Sequence, residues 1–261
     1  MQTRHTDRRR YFNELARTSK KYYIPYIERT LKLTPETRIL EIGCGEGGNL
    51  VPFSQLGCKV TGVDIVPMRI DQAREFFKED GLEGEFICND ILQTDDSTMP
   101  GRYDLILCHD VIEHIPLKDE FLSRVHHLLA PGGIAFFGFP AWQMPFGGHQ
   151  QICQSRFCSH APFIHLLPVW AYRSLLRRCG VKEKDVVELL SIKQCRMTIE
   201  NFQRIAKKQG LETINRKCWF INPHYQAKFG LRPRRLWGFV EALPYVRNFF
   251  STSVFYLLER K

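Results

Sequence analysis

The stretch Ile39-Leu40-Glu41-Ile42-Gly43-Cys44-Gly45-Glu46-Gly47-Gly48 decides how the rest of the chain is read. An apolar run ends in a glycine-rich turn and continues into a helical pattern. That order brings bare backbone close to a ligand at the carboxyl edge of a sheet. Gly43, Gly45 and Gly48 also satisfy the G-x-G-x-x-G spacing of dinucleotide sites, so the glycines alone leave the ligand open. The acids narrow it. Asp64 closes the next apolar run, 21 positions beyond Gly43, where a carboxylate can accept both hydroxyls of a ribose. Asp90, in Cys88-Asn89-Asp90-Ile91, closes a third run. One such acid reads as a turn or cap residue, but three successive strand ends that each deliver a group to one edge read as a site. Glu41 has no evident use in a dinucleotide site and suits a ligand that carries cationic groups.

Outward from this stretch, apolar runs at 38–42, 59–63, 84–88, 103–108 and 133–139 alternate with helical patterns. Residues 67–79 carry Ile70, Ala73, Phe76 and Phe77 at helical spacing, and 117–129 carry Phe121, Leu122, Val125, Leu128 and Leu129 before the stop at Pro131-Gly132-Gly133. Such alternation predicts an α/β fold, a mostly parallel, doubly wound sheet with right-handed crossovers. Regularity ends after Pro140. Residues 141–197 are rich in aromatics, His, Cys and Pro, with helical stretches near 169–179 and 184–193. Thr198 reads as the N-cap of a helix over 200–209 that Gly210 stops, and strands are expected at 212–220 and 252–259. The reading is one domain over 1–261. Its parts are N-terminal helices in 1–35, a Rossmann-like core in 36–140 and 198–261, a helical insertion or lid at 141–197, and a basic aromatic insertion at 222–251.

These motifs resemble those of class I S-adenosylmethionine-dependent methyltransferases. Glu41-Ile42-Gly43-Cys44-Gly45-Glu46-Gly47 is similar to that family's first motif, Asp64 to its ribose-binding acid, and Asp90-Ile91 to its adenine-contacting pair. Tyr103 to Cys108 through Val111-Ile112-Glu113-His114-Ile115, with Leu128-Leu129-Ala130-Pro131-Gly132-Gly133, resembles the branch that methylates quinone precursors and similar small molecules. The resemblance spans residues 38–139, and more weakly those after 198. It implies a Rossmann-like, seven-stranded sheet with its last strand antiparallel, and S-adenosyl-L-methionine converted to S-adenosyl-L-homocysteine. The implied cofactor-binding residues are Glu41, Gly43, Cys44, Gly45, Gly47, Asp64, Ile65, Asp90, Ile91 and His109.

In-line displacement from a sulfonium mainly needs alignment of donor and acceptor, and a base only where the acceptor must lose a proton. The expected catalytic residues are His109 and Asp110, which follow the fourth strand, and His149. His149 lies in the loop Phe139 to Gln151, whose glycines and aromatics read as a cover over the acceptor. His149, Cys153, Cys158 and His160 are zinc-ligand types at a spacing that matches no common zinc pattern. Asp110, Glu113 and His114 resemble a segment where some quinone-type relatives hold a divalent cation. No metal set is assigned from the sequence.

The acceptor is expected to be a small molecule, methylated on oxygen or nitrogen. Two other functions stay open, methylation of RNA or protein and cofactor binding without catalysis. Cys108-His109-Asp110-Val111 replaces the Asn/Asp-Pro-Pro-aromatic motif of adenine and glutamine enzymes, and no RNA module is evident, so no nucleic-acid partner is expected. The net charge of +9, concentrated at Arg8-Arg9-Arg10, Lys20-Lys21 and Arg232 to Arg235, is the one unusual bulk property. With the aromatics of 225–250 it is compatible with peripheral contact on an anionic membrane, and equally with a lid or dimer surface. Nine scattered cysteines, several in apolar runs (Cys88, Cys108, Cys218), fit buried thiols in a reducing cytoplasm, with the chain a monomer or homodimer.

Overall fold

The computed structural model describes residues 7–94, 99 and 101–261; the first six residues of the expected N-terminal segment lie outside that range. Among the described residues eight strands form one sheet: β1 (Arg38–Ile42), β2 (Lys59–Asp64), β3 (Glu85–Cys88), β4 (Tyr103–His109), β5 (Leu129–Phe139), β6 (Leu211–Ile221), β7 (Arg234–Arg235) and β8 (Ser253–Arg260). Their order across the sheet is β3-β2-β1-β4-β5-β8-β6-β7. The inner ladders from β3 to β5 are parallel, and β8 runs antiparallel to both β5 and β6. The antiparallel last strand is therefore as expected, whereas the strand count is eight rather than seven. The addition is β7, two arginines that pair with Trp219 and Ile221 at the sheet's edge and are too short and too polar to register as a strand in the sequence.

Side chains alternate across the sheet as a period of two requires. From β5, Ala135, Phe137 and Phe139 face one core with Tyr256 and Phe202, while Ile134 and Phe136 face another with Phe53 and Phe255. The first core is closed by helices Lys118–Leu128 and Ile199–Lys208, which bury Phe121, Leu122, Val125 and Phe202, Ile205, Ala206. The second is closed by helix Pro67–Glu79, through Ile70, Ala73, Phe76 and Phe77, and by the N-terminal helix Arg8–Thr18. Thr198 caps its helix by accepting from the Asn201 amide. A third, smaller core within residues 141–197 joins Cys153, Cys158, Tyr172, Leu176, Val186 and Leu189.

β5 starts at Leu129, earlier than the glycine pair suggested. Tyr103 pairs with Leu129 and Leu105 with Ile134, so Ala130 to Gly133 bulge out of the ladder, with Gly132 at φ +73°. All nine cysteines are free thiols, and Cys88 is exposed rather than buried.

Because β6 runs parallel to β1–β5, the connection from Ile221 to Ser253 emerges at the same carboxyl edge as the glycine turn. It is tied down by Asn248, which is fully buried. Its Oδ1 accepts from the Ile199 amide at 2.9 Å and its Nδ2 donates to Glu200 at 2.6 Å. Glu200 also accepts from Arg247 and from the Tyr245 amide. Asn248→Ala strands these partners in a dry site and is expected to cost about 2–3 kcal/mol, measured by urea denaturation.

Candidate functional site

The site is built where four neighbouring strands end. β1 delivers Glu41 and then turns at Gly43, whose φ of +71° and closeness to Val111 exclude a side chain; an added Cβ would stand 2.3 Å from Val111 Cγ2. Gly47, at φ +80°, is packed under Phe86. Gly45 differs, since nothing lies within 4 Å of an added Cβ, so its backbone faces open space. The turn is tied to β2 by the Gly43 and Cys44 amides, which both donate to the Val63 carbonyl, and by the Gly45 amide, which donates to Asp64 Oδ2 at 2.9 Å. Asp64 Oδ1 accepts from the Val66 amide at 2.9 Å. Each oxygen of Asp64 thus spends one lone pair on backbone and keeps capacity for another donor.

Glu41 is buried at 1% exposure. Asn49 Nδ2 donates to its Oε1 at 2.7 Å, while Glu41 Oε2 and Asn49 Oδ1 are buried without a partner. Burial pushes the Glu41 carboxyl up to about 8, against the Asn49 hydrogen bond that lowers it. Two bare oxygens on the residues that flank the glycine turn fit a cationic donor group such as an ammonium. Beside Asp64, Ile65 is 69% exposed and offers an apolar surface, with Ile91 buried nearby in sequence after β3. Asp90 is engaged locally, as its oxygens accept from the Leu92 amide and the Gln93 side chain.

β4 ends in His109, which is enclosed rather than presented. Its ring lies 5.1 Å from Tyr23 and 6.3 Å from Phe255, and an added Cβ on Gly138 would stand 2.4 Å from it. Nδ1 faces Asp110 Oδ2 at 3.3 Å, and Nε2 is buried without a partner. Asp110 adopts φ +53°, unusual for a residue with a side chain, and its amide donates to the Gly138 carbonyl. Burial, and then the Asp110 carboxylate, raise the Tyr11, Tyr23 and Tyr225 hydroxyls above their ordinary range. Tyr11 belongs to the N-terminal helix, Tyr23 to a π-helical turn at Ser19–Tyr23 and Tyr225 to helix His224–Phe229, so the Asp110 charge is felt in three separate segments. Sequence reasoning missed these tyrosines and Asn49. The wide turn that aims Tyr23 has no sequence signature, whereas an Asn eight residues after Glu41 could have been flagged.

His149, also in the left-handed region at φ +55°, comes back across this edge. Its ring lies 5.0 Å from that of His114, and ligand atoms of Glu113, His114 and His149 all fall within 4.8 Å of one another. Glu113 is buried with no hydrogen bond to either carboxyl oxygen, His114 Nε2 standing 4.0 Å from its Oε1, and burial followed by Asp110 raises its pKa. Burial, then His114, lowers His149 to about 4, so its imidazole is neutral at pH 7. Burial also lowers His114, and one carboxyl with two imidazoles is a donor set that suits a divalent ion. His149 thus takes the place that the sequence resemblance gave to Asp110. The alternative set of His149, Cys153, Cys158 and His160 is not assembled; Cys153 and Cys158 belong to the small core of the insertion. Gly147 and Gly148 are packing positions rather than hinges, because added Cβ atoms would stand 2.2 Å from the Trp142 carbonyl oxygen and from His165 Cβ.

A protein-family profile described as a methyltransferase domain matches residues 5–215. A ubiquinone biosynthesis O-methyltransferase from Histophilus somni is 28% identical over 137 residues, 49% of this chain and 58% of its own length. Its counterpart in Coxiella burnetii is 32% identical over 115 residues, 44% and 47% of the two chains. The chain spans about half the length of these curated relatives. Among solved structures, the magnesium protoporphyrin IX methyltransferase of Synechocystis, with SAH bound, superposes at a TM-score of 0.56 and 14% identity, over 94% of this chain and 84% of its own. That likeness is one of fold, and it agrees with the class I architecture expected from the sequence.

The Glu41 shift carries a sign for stability. An unfolded glutamate loses its proton near pH 4.3, whereas folded Glu41 keeps it to about pH 8. Between these values the unfolded state binds fewer protons, so this group makes the ligand-free protein less stable as pH rises. Glu41→Gln is expected to melt progressively higher than the parent as pH is raised through that window. Parallel melting curves at all pH values would refute the assignment.

Proposed function

The chain belongs to the methyltransferase domain family, and on that premise we propose that it methylates a small molecule on oxygen or nitrogen with S-adenosyl-L-methionine. The observation that carries the reading is Glu41, a buried carboxyl just ahead of the glycine turn with one oxygen left bare, as is Oδ1 of its partner Asn49 just after the turn. Glu41 and the Gly43–Gly47 turn, with Cys44, hold the amino-acid end of the donor. Asp64 accepts from the ribose hydroxyls, Ile65 and Ile91 flank the adenine, and Asp90 fixes the loop around it. When bound, the donor supplies a methyl group already activated on a sulfonium. What remains for the protein is to align the acceptor, exclude water and take up a proton.

His149 is the group for that proton, since its neutral imidazole projects over the β4 edge from the segment that follows β5. Asp110 orients the acceptor and His109 positions Asp110. Residues 141–197 act as a fixed cover over a single catalytic unit, with the core at 36–140 and 198–261. The site is completed within one chain, which suits a monomer and a homodimer alike. The ubiquinone-pathway names of the relatives support phenolic, quinone-like acceptors as the first to screen. A second reading rests on the Glu113, His114 and His149 cluster: a divalent cation held there would orient an acceptor oxygen.

Asp64→Ala should weaken S-adenosylhomocysteine binding by on the order of 100-fold in calorimetric titration with the fold intact; unchanged affinity would remove the donor site from β2. His149→Ala should lower turnover by roughly 100-fold or more and spare donor affinity. Titration with Mn²⁺ or Zn²⁺ separates the readings, since saturable binding abolished by Glu113→Gln favours the cation and its absence leaves His149 as a plain base.

A further inference from the structure

The connection between β6 and β8 leaves a surface that the donor and acceptor site does not use. Phe220, Trp237 and Phe239 form a continuous stack with ring centroids 5.8 and 6.1 Å apart and interplanar angles of 22° and 6°. The stack stands in solvent: Trp237 is 61% and Phe239 72% exposed. Apolar side chains this open commonly mark a contact surface. Leu231 and Leu243, both about half exposed, extend it along the same connection. Arg232, Arg234 and Arg235 are all exposed, and among the described residues none has a carboxylate within ion-pair distance. The one acid between residues 222 and 251, Glu241, is mostly buried and faces Arg216 at 3.7 Å.

We propose that this aromatic and arginine rim docks on an anionic lipid bilayer, with the indole and phenyl rings in the headgroup layer and the guanidiniums on lipid phosphates. Rings and aliphatic side chains beside unpaired cations are the composition that interfacial binding uses. Charge complementarity picks the occupant. Two copies of the rim in a two-fold contact would bring six unpaired guanidiniums together. A nucleic acid would use the rings and the charge but leave Leu231 and Leu243 in water. Arginines on β7 also protect a sheet edge from pairing, but edge protection does not require Trp237 or Phe239 to be exposed. Topology gives the contact a direction: the rim leaves the sheet at the same carboxyl edge as the glycine turn and His149, so the docked face and the catalytic edge coincide.

The test is flotation of the full chain with phosphatidylcholine vesicles, with and without phosphatidylglycerol, at low and high salt. Binding is expected only with phosphatidylglycerol and should fall with salt. Arg232→Glu, Arg234→Glu and Arg235→Glu together should lower partitioning by on the order of 100-fold. Trp237→Ala with Phe239→Ala should release the protein from the same vesicles while S-adenosylhomocysteine binding and circular dichroism stay at parental values. Three results would each overturn the proposal: no flotation at low salt, equal flotation of parent and both variants, or a rim that instead binds oligouridine or drives self-association in sedimentation. None of these depends on methyl transfer, so failure here leaves the catalytic reading standing.

Discussion

A carboxyl group cannot be taken out of water cheaply, and Glu41 is taken out almost completely. It lies at the end of the central parallel strand, under a turn whose glycines admit no side chain at Gly43 or Gly47. Asn49 satisfies one oxygen and the other is bare. The group meets this by holding its proton to about pH 8. Everything around it follows from that constraint. The turn must be tied to β2 through Val63 and Asp64 to stay over the carboxyl, and β2 must lie beside β1 in parallel for those ties to form. A strand order of this kind places the next two strand ends on the same edge.

The same logic recurs beyond the end of β4. Asp110 and His149 are both in the left-handed backbone region, and Glu113 is buried with no hydrogen bond to either carboxyl oxygen. Strained backbone and unpartnered polar groups cost stability, and they persist here where four segments of the chain meet. His109 illustrates how the two demands separate. It stands at the position expected of a reacting group, yet Tyr23, Phe255 and Gly138 enclose it, and its Nδ1 faces Asp110.

Most of the sheet was legible because its signals are local. The short apolar runs at 38–42 and 103–108, and the helical spacing of Ile70, Ala73, Phe76 and Phe77, need only neighbouring residues to be read. The glycine turn was legible for the same reason. What the sequence concealed was contact between distant segments. Nothing near Tyr23 announces a π-helical turn, and nothing near His149 announces that it returns to Glu113 and His114. β7 was hidden by its size, since two arginines become a strand only because Trp219 and Ile221 are there to pair with them. The glycine pair at 147 and 148 was read as freedom and turned out to be crowding, a distinction that only the position of the Trp142 carbonyl and His165 could make.

The place of β8 has a consequence for how the chain is made. It follows β6 in sequence but lies between β5 and β6 in the sheet. While a ribosome is still upstream of residue 253, β5 has a neighbour on one side only, and its other edge is a row of open amides and carbonyls flanked by Phe136 and Phe137. Such an edge is a template for pairing with another nascent chain. The final strand therefore works as a clasp: Tyr256 and Phe255 seal both cores in one step, and until they arrive the protein is most exposed to its own copies.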